Sequence, residues 1–446
     1  MDGRQSRFSI TPSRGCKITL SIFSSVNHLR LADPMPSSTP RDSTESSDRS
    51  LPTIQWTEAG QDWSARWRSE RGAPPPKRVV LADDTVTADV AYRLACEGTA
   101  LLWRGDFNNA TQLLQAMARR ADKTPARKQR KSAKDAAPAA LPADVFHQFR
   151  QAQSQRARIL GSLLLPFNED YGIALRRAPD ARQACAEAWG PEQPDAGPSV
   201  ASLRELLGMI GAHEWRKKGV EIPALGDPLN NRIHAHYGVF SPVRGEYVNL
   251  VASAPLPPTG QEKFTAFDIG TGTGVLAAVL ARRGIEQVVA TDQDARALAC
   301  ARENIERLGV GAQVQVVEAD LFPPGRASLV VCNPPWLPAR PGSPLEAAVY
   351  DEDSRMLLGF LRGLVAHLVP GGEGWLILSD IAEHLGLRSR TDLLAAFERC
   401  GLKVVARMDA RPRHPKASDA SDPLHAARAA EMTSLWRLAA GMASTS

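Results

Sequence analysis

From about residue 235 onward, short β-rich runs and runs of helical period take turns, and few architectures can accommodate that. "FTAFDI" is followed by a helical pattern over 274–283, and "QVVAT" by another over 294–308. Then come "QVQVVE", "ASLVVC", a helix at about 353–368, "GWLILS", a helix near 390–400, "LKVVARMD" and "MTSLWRL". A strand must be followed by a crossover before the next can pair with it in parallel, so strand–helix alternation predicts a mainly parallel sheet covered on both faces. The last two runs have no helical period between them. They are expected to pair as an antiparallel edge hairpin around an insertion at 410–430.

The rest of the chain is organised differently. At 446 residues and 43% apolar content, the chain is longer than one hydrophobic core usually serves, and two domains are expected. Residues 1–50 hold twelve serines and few large apolar side chains, and are expected to be disordered because too little surface could be buried to offset the ordering entropy. Residues 84–118, 144–165 and 200–212 carry apolar residues at helical spacing, which predicts a smaller, mostly helical domain over 84–215. A basic, Ala/Pro-rich linker at 119–143 interrupts it. Eight Lys/Arg against one acid fall between Arg119 and Lys134, in a chain whose net charge is +5. That window is either a solvated linker or an arm that tracks phosphates.

Other features exclude whole classes. No uncharged apolar run reaches the length of a membrane span, so no membrane attachment is expected. The six cysteines are scattered without metal-type spacing, which suits reduced thiols in a cytoplasm. His234 and His236 form an HxH with no third ligand in view, and no metal site is expected. Cys332 reads as a small buried residue of its strand.

The chemistry concentrates at strand ends. The first run leads into "DIGTGTGV", with Gly270, Gly272 and Gly274 on a strand-to-helix turn, where glycine admits positive φ and close approach of a ligand. Such a turn is also compatible with a plain tight turn. The second strand ends at Asp292, placed to accept hydrogen bonds from ribose hydroxyls. Asp292 could instead cap the next helix, as could Asp294. Glycine turn and acid together favour an adenosine-containing cofactor. A nicotinamide dinucleotide fits less well, because Val275 departs from the GxGxxG/A fingerprint.

"FDIGTGTG", "ATDQDARALACARENIERLG", "ADLF" and "VVCNPPW" together resemble the successive motifs of class I S-adenosylmethionine-dependent methyltransferases. They are most similar to the (D/N)PP(Y/F/W) branch that includes rRNA N-methyltransferases and release-factor glutamine methyltransferases. The resemblance covers about 235–440 and implies a Rossmann-like seven-stranded mixed sheet with S-adenosyl-L-methionine as cofactor. It further implies that Asp268, Gly270, Gly272 and Gly274 surround the methionine part of the cofactor. Asp292 would hold the ribose, Asp320 and Leu321 would contact the adenine, and Asn333, Pro334, Pro335 and Trp336 would receive the target nitrogen. "HYGVFSPVRGEYVNL" resembles the segment that closes the cofactor pocket in the glutamine methyltransferases, through Phe240 and Arg244.

The elbow suits that chemistry on physical grounds. Each proline fixes φ near −65° and removes a competing N–H, and it pushes the preceding residue into an extended conformation. The Asn333 side-chain oxygen and the Pro334 carbonyl could accept the N–H bonds of a planar amine, with Trp336 as a flat stacking surface. The expected activity is N-methylation of an exocyclic base amine in RNA, with the helical domain recognising the substrate. A protein glutamine is the alternative. An oxidoreductase gives the elbow no role, and a silent RNA-binding module that keeps the fold predicts degenerate motif residues, whereas none of the key ones here is degenerate.

Overall fold

The computed structural model describes residues 51–122, 141–192, 197–228, 230–258, 260, 263–342, 346–412, 419–420 and 422–441. The segment 1–50 and most of the 119–143 linker therefore lie outside the described residues.

The N-terminal unit is not mostly helical. Its strands are β1 (Thr53–Glu58), β2 (Gln61–Trp67), β3 (Val79–Ala82), β4 (Ala100–Trp103), β5 (Leu163–Phe167) and β6 (Ser199–Ser202). They form one sheet in the order β1-β2-β6-β5-β4-β3. Its helices are α1 (Ala88–Cys96), α2 (Phe107–Ala121), α3 (Pro142–Leu160), α4 (Arg182–Trp189) and α5 (Leu203–Lys218). The expected mostly helical domain over 84–215 is thus an α/β unit whose first strand begins ahead of the predicted boundary. The reason is physical. Strand β4 reads "ALLW" and is buried at every position, and a strand covered on both faces loses the period-2 alternation that would reveal it. Set between helices of strong apolar period, such a run reads as more helix. The sheet also curls, bringing β1 against β3 at the opposite edge, around Ile54, Trp67, Leu102, Leu164 and Val200.

The second unit follows the expected alternation closely. After a short antiparallel pair, β7 (Val220–Glu221) and β8 (Arg232–Ile233), come α6 (Glu246–Ser253), β9 (Thr265–Ile269), α7 (Val275–Arg282), β10 (Gln287–Asp292), α8 (Ala295–Arg307), β11 (Val314–Glu318) and β12 (Ala327–Cys332). The chain continues through α9 (Arg355–Leu364), β13 (Leu368–Ser379), α10 (Ile381–His384), α11 (Arg390–Arg399), β14 (Leu402–Ala410), α12 (His425–Ala430) and β15 (Thr433–Ala440). The seven-stranded mixed sheet runs β11-β10-β9-β12-β13-β15-β14. Strands β9 to β13 are parallel. Strand β15 inserts antiparallel between β13 and β14, so the expected terminal hairpin is present with β14 at the edge.

Alternate residues of the central strands serve opposite layers, as strand geometry requires. Ala266, Leu329 and Val331 pack with α6 and α7 on one face. Phe267, Val330 and Cys332 pack with α9 and α11 on the other. Cys332 is fully buried, as the sequence suggests. The two units meet near the C-terminal edge of this sheet. Phe146 of α3 joins a shared cluster with Leu337, Tyr350, Ile381 and Leu385, and Arg296 bridges to Glu70 at 2.9 Å. Among the described residues, no helix is long and apolar enough to cross a membrane.

Candidate active site

Strand order reverses on either side of β9: β10 and β11 lie one way, β12 and β13 the other. Crevices outside the carboxyl ends of such strands are where open α/β sheets bind ligands. Registers Thr291↔Ile269 and Cys332↔Ile269 bring the ends of β9, β10 and β12 level. The glycine turn, Asp292 and Asn333 are therefore neighbours there, although 64 residues of sequence carry them from first to last.

The glycine turn is held from beneath. Gly270 and Thr271 donate their amides to the Thr291 carbonyl at 2.9 and 2.8 Å. Gly270, Gly272 and Gly274 have φ of +71°, +55° and +79°, a region costly for other residues. Two of them are also crowded where a side chain would begin. A Cβ at Gly270 would run into the Met356 methyl group, and one at Gly274 would press on the Ala301 backbone at 3.3 Å. At Gly272 a Cβ would meet nothing within 4 Å, so this middle glycine faces open space.

Asp268 sits inside the fold, 1% exposed. Its Oδ2 accepts the Thr271 hydroxyl at 2.7 Å and the Ala277 amide at 3.0 Å, so it splices turn to helix. Burial pushes its pKa up to about 6, opposed by those two hydrogen bonds. A carboxyl whose folded value is raised from 3.8 contributes stability below that value and loses it as pH rises through about 6. Asp268→Asn keeps the acceptor and removes the titration. Its urea midpoint should therefore gain on that of the wild type as pH rises from 4 to 7. A pH-independent difference would show that the carboxyl ionises as it does in water.

Asp292 is half-buried at the end of β10. Its Oδ2 accepts the Gly272 amide at 3.0 Å and its Oδ1 the Asp294 amide at 3.0 Å. The capping alternative falls to Asp294, whose Oδ1 takes the Arg296 and Ala297 amides at the start of α8. Burial raises the Asp292 pKa. Asp320 is exposed, 3.8 Å from the Arg355 guanidinium. Leu321 has φ +71°, a conformation costing a non-glycine residue about 1–3 kcal/mol, and its carbonyl is held by the Thr291 hydroxyl at 2.6 Å. The turn with an open middle glycine, an acid at the next strand end and an exposed acid beyond the third strand fit an adenosyl cofactor bearing an amino acid. Gly270, Gly272, Gly274, Asp292, Asp320 and Leu321 could line its site, with Asp268 behind.

At the elbow, Asn333 to Trp336 leave β12. The Trp336 indole N–H donates to Asn333 Oδ1 at 2.9 Å, which fixes the amide's orientation and occupies one of the oxygen's lone pairs. Arg244 lies over the Trp336 ring, 5.1 Å from the ring centre, held by Glu246 at 2.9 Å and Glu431 at 3.0 Å. The ring is half-buried and packs against three apolar clusters, so one face is already stacked. Phe240 is exposed. His234 Nδ1 meets the Arg216 carbonyl at 2.6 Å and His236 Nε2 meets Glu303 at 2.6 Å. His234 thus contacts the N-terminal unit, and His236 is tied to α8 of its own unit.

Sequence reasoning did not reach Thr271, Thr291, Met356 or Glu431, because each acts through a contact with a distant segment. The helix expected from about 353 is capped by Asp351, whose carboxylate accepts the Met356 and Leu357 amides at 3.0 and 3.1 Å. Of the basic window, Arg120 is paired with Asp89 at 2.7 Å, and 123–134 lie outside the described residues, as do 413–416 of the insertion at 410–430.

Residues 230–406 match the family described as methyltransferase small domain. A release factor glutamine methyltransferase of Cereibacter sphaeroides is 32% identical over 184 residues, 38% of this chain and 63% of that protein. A ribosomal protein L11 methyltransferase of Pelotomaculum thermopropionicum is 51% identical over 146 residues, 32% of this chain and 39% of the relative. A release factor glutamine methyltransferase of Moorella thermoacetica is 39% identical over 123 residues, 26% of this chain and 43% of the relative. The chain thus spans from about two fifths to just under two thirds of the length of these relatives.

Proposed function

We propose that this chain, whose residues 230–406 match the methyltransferase small domain family, is an S-adenosylmethionine-dependent enzyme that methylates an amide nitrogen of a protein. The acceptor we assign is a glutamine side chain of a ribosomal protein or translation factor. The observation that carries transfer to a planar N–H group is the Asn333 side-chain oxygen, oriented by the Trp336 N–H at 2.9 Å, at the strand switch point that also holds the glycine turn; the relatives favour a protein amide over a base amine. The relatives named above act, by their names, on a release factor and a ribosomal protein.

When bound, the cofactor supplies an activated methyl group on a sulfonium. The chain's own residues then have two tasks. The glycine turn and Asp292 hold the cofactor; Asn333 and Pro334 orient the acceptor. An amide nitrogen is a poor nucleophile because its lone pair is delocalised. Acceptors at its N–H bonds favour the positive charge that develops there and fix the line of approach. The Asn333 oxygen has a second lone pair for this purpose, and the Pro334 carbonyl supplies another acceptor. Arg244, paired with Glu246 and Glu431, covers one face of Trp336 at 5.1 Å and so helps keep the indole N–H on Asn333.

The RNA acceptor expected from the sequence is the other outcome of the test. Extract from a strain lacking the protein is incubated with purified protein and methyl-tritiated S-adenosylmethionine, then split into protein and RNA. Label is expected in a protein band, absent with Asn333→Ala, and recovered as methylglutamine after proteolysis. Label in RNA would overturn the amide assignment and leave the methyltransferase standing.

A further inference from the structure

The motifs of the cofactor and acceptor site lie between residues 268 and 336, yet the segment that follows the elbow is held by the other unit. Arg150 of α3 is 6% exposed. Its Nη2 donates to the Arg340 carbonyl at 2.8 Å and lies 3.5 Å from Glu346 Oε2. Its guanidinium stacks on Tyr350, 3.9 Å from the ring centre. Glu346 also accepts the Gly342 amide at 2.8 Å. One side chain from the N-terminal unit therefore grips both the outgoing stretch, 337–342, and the returning stretch, 346–351.

Both stretches lead into the site. Leu337, next to Trp336, pairs with Tyr350, and the Asp351 amide donates to the Leu337 carbonyl at 2.9 Å. The Asp351 carboxylate then caps α9. Between cap and helix, Asp353 and Ser354 take φ of +56° and +55°. Two consecutive left-handed non-glycine residues persist only where their surroundings hold them. Beyond them α9 touches three candidate cofactor positions. Met356 covers Gly270, Arg355 approaches Asp320, and Gly359 faces Leu321 with no room for a Cβ.

We propose that Arg150 is a positioning residue through which the N-terminal unit sets the first turn of α9 against the glycine turn, and so tunes cofactor affinity without touching cofactor. The effect on affinity rests on the cofactor-binding reading above; the ordering of 346–359 does not. An arginine suits the role because its planar fork can lie over Tyr350 and donate hydrogen bonds within its own plane at once, which lysine cannot do.

Calorimetry with S-adenosylhomocysteine and hydrogen exchange on the full chain test it together. Arg150→Met should weaken binding about tenfold, the size of a modest coupling between distant sites. Amides of 349–359 should exchange faster while those of β10 stay as they were. Tyr350→Leu, a milder change on the other side of the stack, should act in the same direction. Arg68→Met is the control, since Arg68 is equally buried, over Tyr171 and Trp189 at 5.1 and 5.0 Å, within the N-terminal unit. It should lower stability and leave affinity unchanged. Unchanged exchange in 349–359 with Arg150→Met, or an equal loss of affinity with Arg68→Met, would overturn the proposal. Wild type that binds no S-adenosylhomocysteine would count against the proposed function, and the exchange result would still decide this one.

Discussion

Asn333→Ala should lower kcat by about 10²–10³-fold, ~2.7–4 kcal/mol, the scale of one preorganised hydrogen-bonding group removed from a transition state. Binding of S-adenosylhomocysteine should stay within a factor of about two, because a group used mainly in the transition state contributes little to the ground state. The structure sharpens the expectation. Asn333 Oδ1 also receives the Trp336 indole N–H at 2.9 Å, so the alanine variant leaves that donor without its partner. Trp336→Phe should therefore give a smaller loss in the same direction, since the oxygen remains but its orientation is no longer fixed. Single-turnover rates at saturating cofactor separate the two. An Asn333→Ala rate near wild type would make the elbow a structural turn.

Asp292→Ala should act on the other side of the reaction, weakening cofactor affinity by about 10–100-fold, since hydrogen bonds to charged groups contribute ~1.5–3 kcal/mol each. Here the loss has two sources. The carboxylate is the candidate acceptor for ribose hydroxyls, and its Oδ2 also ties down the Gly272 amide at 3.0 Å. Asp292→Asn keeps one acceptor and should lie between. Affinity measured by calorimetry, with kcat at saturating cofactor nearly unchanged, is the expected pattern. Undiminished affinity in the alanine variant would remove Asp292 from the cofactor site and leave it as a tie for the turn.

These two variants separate cofactor from acceptor chemistry, and the site divides in the same way. The glycine turn, Asp292 and Leu321 are bound together through the Thr291 backbone and side chain. Asn333 and Trp336 belong to a second group with Arg244, Glu431 and Ser379, in which the Ser379 hydroxyl donates to Glu431 at 2.7 Å. Residues 337–342 and 346–351, with α9, connect the groups, and Arg150 grips that connection from outside.

The legible parts were those whose requirement is local. A glycine at positive φ, an acid at a strand end, and Asn-Pro-Pro leaving a buried strand are each specified within a few residues. Their order along the chain carried the resemblance that implied the seven-stranded sheet, and the missing helical period between the last two runs anticipated its antiparallel edge. Asp268 was legible as a member of the motif. Its burial and hydrogen bonds to Thr271 and Ala277, which make it a brace for the turn, were not. The N-terminal unit was misread for the same kind of reason: β4 and β5 are short and buried on both faces, so their pattern carries no trace of their strand partners.

The sequence by itself thus determined which backbone shapes are possible at the site and which groups can serve there, because sterics and hydrogen-bonding capacity belong to each residue. Only the tertiary structure decided how those groups are aimed. Trp336 turns the Asn333 amide, Arg244 covers one face of Trp336, and Arg150 reaches a carbonyl 190 residues away. Such contacts join segments brought together by packing, and nothing in the spacing of either segment records its partner.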